Sequence, residues 1–567
     1  MKDEWMNVKK KCSEYIANEL KDRGINTVFG VPGVNILPIF DAIERDSEMR
    51  MITCKTELAS AYMADGYARV KNVGCFLSTT GPGIASAVNG LISSYYDSVP
   101  VMAISAQVNV SEYGKYGIQE MTGYGRTPDV LSIMKCITKD SKRILSSSEL
   151  VTQVRSGIQC AMSARKGPVY IEIDEEILRG DYDVEIEPIS EQILLQEREG
   201  KLEDINQILN DVVELLEQGT RIVLILGNGA KDADVYDIEM VADKFGMCIV
   251  SSYLAKGKID NRKNNYLGVM GCYGNQSANL YIEKADLVLA VGVTLNYLST
   301  AGWTNGLENK KIIRVDIDKE ELDRNYSAEI KVHMGAGEFL SALSKRVQNR
   351  PDKLSNYNLY RIKDYDVERD VNYSFSPFKV IQVINKYIDE HTIVVADVGQ
   401  NSYWAERYIS VFGNNNYIVN GGNGSMGHGV AASIGVRCAQ MEKSSLGKVL
   451  CICGDGGFMM MGNELSTAAI NKINVVWIIF NNRLPGTQEA WCKKHNYVVD
   501  CSCTGVDYVK YAEAQGVDAV CANNVSEFER ALARAILSDR ATLIDVRLPE
   551  KIVPQAYYGV QLVDIKR

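Results

Sequence analysis

Short apolar runs of strand character, each followed by an amphipathic helical window, recur along the whole chain, and this alternation restricts its fold more than any other feature. Continuous apolar strands joined by helices are buried on both faces, so they belong to parallel sheets covered on two sides. The rhythm comes in three stretches. The first opens with a helix over 12–22 and the strand-turn Val28-Phe29-Gly30-Val31-Pro32-Gly33, followed by strands at 74–78 and 101–105. The second has strands at 221–227, 248–251, 287–291 and 312–317, and the third at 392–396, 449–453, 475–480 and 542–546. Polar residues 180–201 and the tyrosine-rich residues 349–373 read as connections. A chain of 567 residues is too long for one hydrophobic core. The expectation is three consecutive doubly wound parallel-sheet α/β domains over residues 7–182, 198–348 and 374–550.

Composition excludes several classes. A net charge of −10 without a concentrated basic face argues against nucleic acid. No apolar run approaches the length of a membrane span; 475–480 is the longest clean one and reads as a buried strand. The N-terminus lacks the apolar core of a signal peptide. The 14 cysteines are scattered, and the close pairs Cys451/Cys453 and Cys501/Cys503 lack zinc-site spacing. Free thiols in a reduced, cytoplasmic setting are therefore expected.

The sharpest chemical signal lies in the third stretch. Strand 449–453 runs directly into Gly454-Asp455-Gly456-Gly457, and the next strand ends at Asn481-Asn482. Glycines after a parallel strand let backbone N–H groups approach an anion, and the following helix presents its positive end. Asp455 offers a charged oxygen and Asn482 an amide oxygen, the hard donors Mg²⁺ prefers beside phosphate. Both stand at strand carboxyl ends, where open α/β sheets bind ligands. An ordinary βα turn would also contain Gly-Asp-Gly; the Asn-Asn at the next strand end is what favours the ligand site.

This spacing resembles the thiamine diphosphate-binding motif of the enzymes that use that cofactor. The resemblance implies that Asp455, Asn482 and the backbone carbonyl of Leu484 hold Mg²⁺, with Gly454, Gly456 and Gly457 against the diphosphate. Gly399-Gln400-Asn401 resembles the diphosphate-contacting loop, with Asn401 standing where acetolactate synthases usually have histidine; asparagine can also donate to phosphate. In the first stretch, Phe29-Gly30-Val31-Pro32-Gly33, Glu57, Ala64-Asp65-Gly66-Tyr67-Ala68-Arg69, Thr80-Gly81-Pro82-Gly83 and Asp97-Ser98-Val99-Pro100 look like the pyrimidine-binding domain of acetolactate synthases. On residue physics alone Glu57 is a first-turn helix acid. The resemblance makes it the acid that protonates the cofactor's aminopyrimidine, a task suited to a raised pKa. In Gly421-Gly422-Asn423-Gly424-Ser425-Met426, the resemblance places Met426 between the two cofactor rings, beside Gly424. The fold it implies is the thiamine diphosphate-binding fold with a Rossmann-like middle domain.

The family resemblance also bears on the reaction, a decarboxylation of a 2-oxo acid, pyruvate, followed by ligation of the two-carbon unit to a second carbonyl. The four histidines are nowhere adjacent, unlike the His-His pair of simple 2-oxo acid decarboxylases. Gln119-Glu120 resembles the Phe-Gln-Glu of acetolactate synthases, with about seven extra residues following, around 124–128; Gln119 is expected to orient reacting groups. Trp491 falls where the family shapes its acceptor pocket, and Thr487 and Gln488 replace the usual Met-Val, implying a more polar acceptor. In the middle stretch Gly227-Asn228-Gly229 is only a lone G-x-G. Gly292-Val293-Thr294-Leu295-Asn296-Tyr297 lacks the arginine and acids that help acetolactate synthases hold FAD, which makes bound FAD doubtful. The alternatives are a 2-oxo acid decarboxylase or oxidase with the same cofactor, or a carboligase acting on a keto-sugar. The cofactor's two ends fall to two domains that, in this family, come from different subunits, so a homodimer or homotetramer is expected.

Overall fold

A computed structural model describes residues 10–182, 202–353, 373–443, 447–484, 486–500, 505–549 and 552. Most of both expected connections, 183–201 and 354–372, and the Cys501/Cys503 pair lie outside the described residues.

Three six-stranded sheets carry the fold. The first contains β1 (Thr27–Gly30), β2 (Arg50–Thr53), β3 (Gly74–Ser78), β4 (Val101–Gln107), β5 (Asp140–Ile144) and β6 (Val169–Asp174) in the order β2-β1-β3-β4-β6-β5. The second contains β7 (Ile222–Leu226), β8 (Cys248–Ser251), β9 (Tyr266–Val269), β10 (Leu287–Val291), β11 (Lys311–Asp316) and β12 (Ile330–His333) in the order β9-β8-β7-β10-β11-β12. The third contains β13 (Ile393–Ala396), β14 (Tyr417–Val419), β15 (Val449–Gly454), β16 (Val475–Asn481), β17 (Asp518–Ala522) and β18 (Thr542–Arg547) in the order β14-β13-β15-β16-β18-β17. Every pairing within these sheets is parallel. Central strands such as β4, β7 and β16 are buried at every position, which is why they read as unbroken apolar runs.

The expected strands lie where the apolar runs placed them, their ends shifted by a residue or two. In each sheet the chain first builds outward one way and then crosses to the other side. The reversal falls between β1 and β3, between β7 and β10, and between β13 and β15. Such switch points open a crevice at the strand carboxyl ends.

Two helices join the first and third domains. Helix α1 (Glu57–Lys71) starts at Thr56, whose side chain accepts the Ala59 N–H at 3.1 Å, and ends at Asn72 in the left-handed region. It packs along α3 (His428–Glu442), so one apolar cluster runs from Tyr62 and Met63 to Ile434, Val436 and Trp477. No helix among the described residues is long and apolar enough to cross a membrane.

Candidate active site

The switch point of the third sheet carries a cavity of about 250 Å³. Its wall includes Gly399, Gln400 and Asn401 after β13, Gly454, Asp455, Gly456 and Gly457 after β15, and Asn482 and Leu484 after β16. Gly424 and Met426, from the loop before α3, and Thr487 and Gln488 complete the side facing the cofactor motif. The fold thus brings Gly399, Gln400, Asn401, Gly454, Asp455, Gly456, Gly457 and Asn482 to one crevice, because they follow neighbouring strands.

The geometry suits an anionic ligand with a cation. Gly454 caps α4 (Asp455–Met461), and Gly399, at φ +143°, precedes α2 (Gln400–Tyr408), so two helices begin at the crevice. A β-carbon on Gly457 would lie 2.1 Å from Asp397 Oδ2. Asp455 Oδ2 and Gln400 Nε2 are buried with no hydrogen-bond partner, one acceptor and one donor left over at the cavity wall. Burial pushes the Asp455 carboxyl up to about 6, the response of an acid lacking a counter-charge. Among the described residues no cluster of three or more His, Cys, Asp or Glu forms a ready metal cage. A cation at Asp455 would therefore draw on one carboxylate, the Asn482 amide oxygen and a main-chain carbonyl, leaving positions for phosphate oxygens. The Asn482 Oδ1 also accepts the Leu484 N–H at 3.3 Å, which fixes the turn after β16.

Asn401 departs from expectation. Its Nδ2 donates to the carbonyls of Asp397 at 2.5 Å and Ile452 at 3.1 Å, so both amide hydrogens are spent and none is presented to a phosphate. Those carbonyls lie just past the end of β13 and within the adjacent β15, and the side chain bridges them.

Glu57 and its neighbours form a second, separate group at the switch point of the first sheet. Gly33 faces Thr79, where an added β-carbon would lie 2.4 Å from Thr79 Cβ. The Glu57 Oε1 lies 3.0 Å from the β-carbon position of Gly83. Burial raises its pKa above the ordinary carboxylate value. Gln119 is exposed in the left-handed region at φ +66°, with its backbone carbonyl 3.3 Å from Thr80 Oγ1. The extra residues fold back on themselves, with Tyr113 and Tyr124 stacked at 5.7 Å and a bridge between Thr122 and Asp129.

Pro32, Gly33, Glu57 and Gln119 contribute nothing to the wall of the 250 Å³ cavity, which is built from the third domain alone. Trp491 on α5 (Gly486–His495) also stays outside it, 39% exposed and tilted over His495. Sequence reasoning missed Asp397, whose oxygens accept Gly427 N–H at 3.0 Å and Gly429 N–H at 2.9 Å. Its position at the end of β13, matching that of Asp455 after β15, was the available signal.

A larger cavity of about 710 Å³ opens at the switch point of the middle sheet, beside Gly229, Gly292, Thr294 and Asp316. It contains none of the residues expected at the thiamine site, and Asn228 there donates to the Asp97 carbonyl at 2.8 Å.

Three family models match in chain order: "Thiamine pyrophosphate enzyme, N-terminal TPP binding domain" over residues 10–125, the "central domain" of the same enzymes over 209–343, and the "C-terminal TPP binding domain" over 397–546. With the fold and both strand-end groups, they define the chain's class: it belongs to the thiamine pyrophosphate-dependent enzymes. The chain is similar over almost its whole length to the "Probable acetolactate synthase large subunit" of Methanococcus aeolicus, at 27% identity over 98% of this chain and 94% of that protein. It is 29% identical to the "Acetolactate synthase" of Arthrospira platensis over 97% and 96% of the two chains, and 26% identical to "Acetolactate synthase isozyme 1 large subunit" of Escherichia coli K12 over 96% of each. Within its class the protein is acetolactate synthase-like. The decarboxylase, oxidase and keto-sugar alternatives are not favoured by these relatives.

Proposed function

We propose that the chain decarboxylates pyruvate and ligates the two-carbon unit to a second carbonyl, with Mg²⁺ and thiamine diphosphate held between two copies of the protein. The observation that carries this reading is the pair of unpartnered atoms, Asp455 Oδ2 and Gln400 Nε2, in a glycine-lined cavity at a sheet switch point. In it, Asp455, Asn482 and the Leu484 carbonyl hold the metal. The N–H groups of Gly456 and Gly457 and the starts of α2 and α4 meet the diphosphate. Met426 stands at the wall as the bulky group between the cofactor's rings. When bound, the cofactor supplies the electron sink that lets a 2-oxo acid lose CO₂.

Glu57, whose burial shifts it toward the neutral form, would supply the proton that the cofactor's far ring needs. The one-domain wall of the cavity supports the view that Glu57, with Pro32 and Gly33, comes from a second copy, in a homodimer or homotetramer. Gln119 then orients reacting groups, while Thr487, Gln488 and Trp491 shape the acceptor side. Bound FAD is not part of the proposal, since 292–297 lacks an arginine and acids. A reduced, cytoplasmic setting is, and is supported by the free, buried thiols of Cys54, Cys75, Cys451 and Cys453. The test is product analysis after incubating the magnesium-loaded holoenzyme with pyruvate. Acetolactate is expected; acetaldehyde or acetate alone would overturn the carboligase reading.

A further inference from the structure

The loop that carries Gly424 and Met426 is gripped from both sides, and one grip comes from the first domain of the same chain. Asp97, 1% exposed, accepts the Gly422 N–H at 3.0 Å on Oδ1 and the Gly421 N–H at 3.4 Å on Oδ2. Arg69 on α1 donates to Asp97 Oδ2 at 2.8 Å and to the Val419 carbonyl at 3.2 Å, so the carboxylate is both oriented and compensated. Gly422 permits this approach, since a β-carbon there would lie 2.6 Å from Tyr96 Cβ. Further along, Asn423 Nδ2 donates to Asn89 Oδ1 at 2.8 Å. The Ser425 hydroxyl meets the Tyr62 hydroxyl at 2.5 Å and accepts from Asn89 Nδ2 at 2.8 Å. Asp397 holds the far end through the N–H groups of Gly427 and Gly429. Between these anchors, Gly424 and Met426 are what the loop presents to the cavity.

We propose that Asp97, oriented by Arg69, is a positioning residue for the cofactor site of its own chain's third domain, setting the loop that aims Met426. This rests on the thiamine diphosphate reading and adds a consequence to it. If Glu57 serves the site of a second copy, each first domain serves two sites: one through Glu57 at the start of α1, the other through Arg69 near its end and the Asp97 that Arg69 orients.

Two measurements test this. In the first, calorimetry compares thiamine diphosphate with inorganic pyrophosphate, both with Mg²⁺, on wild type, Asp97→Asn and the milder Tyr62→Phe. Thiamine diphosphate should bind about tenfold more weakly to Asp97→Asn and about threefold more weakly to Tyr62→Phe, with pyrophosphate changed by less than about twofold. Equal losses for both ligands, or no loss for either, would overturn the positioning role. Failure of the wild type to bind thiamine diphosphate would instead overturn the reading beneath it.

In the second, mixed dimers are purified through two different tags. A chain carrying Glu57→Gln is paired with one carrying Asp455→Ala, and separately with one carrying Asp97→Asn. Assayed with thiamine diphosphate at about the wild-type Kd, where a tenfold loss of affinity largely empties an impaired site, each mixed dimer should show about half of wild-type activity, because one site escapes both lesions. Rescue in the first pair without rescue in the second would place Asp97 in service of Glu57 and sink the proposal. Absence of rescue in the first pair would sink the shared site itself.

Discussion

A β-carbon built on Gly435 of α3 would lie 1.8 Å from the carbonyl oxygen of Met63 on α1. The contact is reciprocated one turn along, where a β-carbon on Gly66 would lie 2.2 Å from the Ala432 carbonyl oxygen. Between the same helices, His428 Nε2 lies 2.8 Å from Asp65 Oδ1. Both obstacles at the glycines are main-chain atoms of packed helices, which cannot yield as a side-chain tip can. Gly435→Ala should therefore destabilise the protein by about 3 kcal/mol or more, read as a fall in the unfolding midpoint. A change below about 0.5 kcal/mol would contradict this close crossing.

Glu57→Gln keeps the side chain's shape but removes the transferable proton. Turnover should fall at least about a hundredfold, the usual scale for losing a general acid, while thiamine diphosphate affinity stays within about threefold. Steady-state kinetics beside calorimetry separates the two quantities.

The histidine–aspartate contact offers a check on the interface between α1 and α3. Asp65 also receives Arg69 Nε at 2.6 Å and the Ser94 hydroxyl at 2.9 Å, all in buried surroundings. Asp65→Ala would leave the Arg69 and His428 side chains buried without this acceptor, and should cost about 3–5 kcal/mol. Chemical denaturation measures that cost.

A buried pair away from the cofactor motif predicts how stability depends on pH. Glu406 on α2 is pushed up to about 8 by burial, and Lys256, which lies 5.5 Å from the Tyr417 ring centre, is pushed down to about 7 by burial. A carboxyl raised in the folded state contributes stability that is complete below its unfolded value and fades as pH rises through the folded one. Between about pH 5 and pH 8 the wild type should therefore lose on the order of 2–4 kcal/mol through Glu406 that Glu406→Gln does not lose. Denaturation curves of both proteins at pH 5.5 and 8.5 give the difference; parallel pH dependence would contradict it.

The three sheets were legible because parallel strands buried on both faces must be continuous apolar runs, and β7, β10 and β16 are such runs. Asp455, Asn482, Gly399 and Gln400 were legible together because a doubly wound sheet delivers strand ends to one crevice. The Asp97 grip on Gly421 and Gly422 was not legible, since it joins residues more than three hundred positions apart through domain packing. Neither was the turn of Asn401 toward the carbonyls of Asp397 and Ile452, which depends on how β13 and β15 lie beside each other in space. The placement of Trp491 outside the wall of the 250 Å³ cavity was not legible either, since its position along the chain does not fix which way its ring turns.

Calorimetric titration of thiamine diphosphate into the full-length protein, with Mg²⁺ and again after chelation, tests the central claim most directly. Saturable binding with Mg²⁺ should weaken at least about tenfold on chelation and on Asp455→Ala, since both remove the anchor of the diphosphate. Binding that is absent, or indifferent both to the metal and to Asp455, would contradict the account.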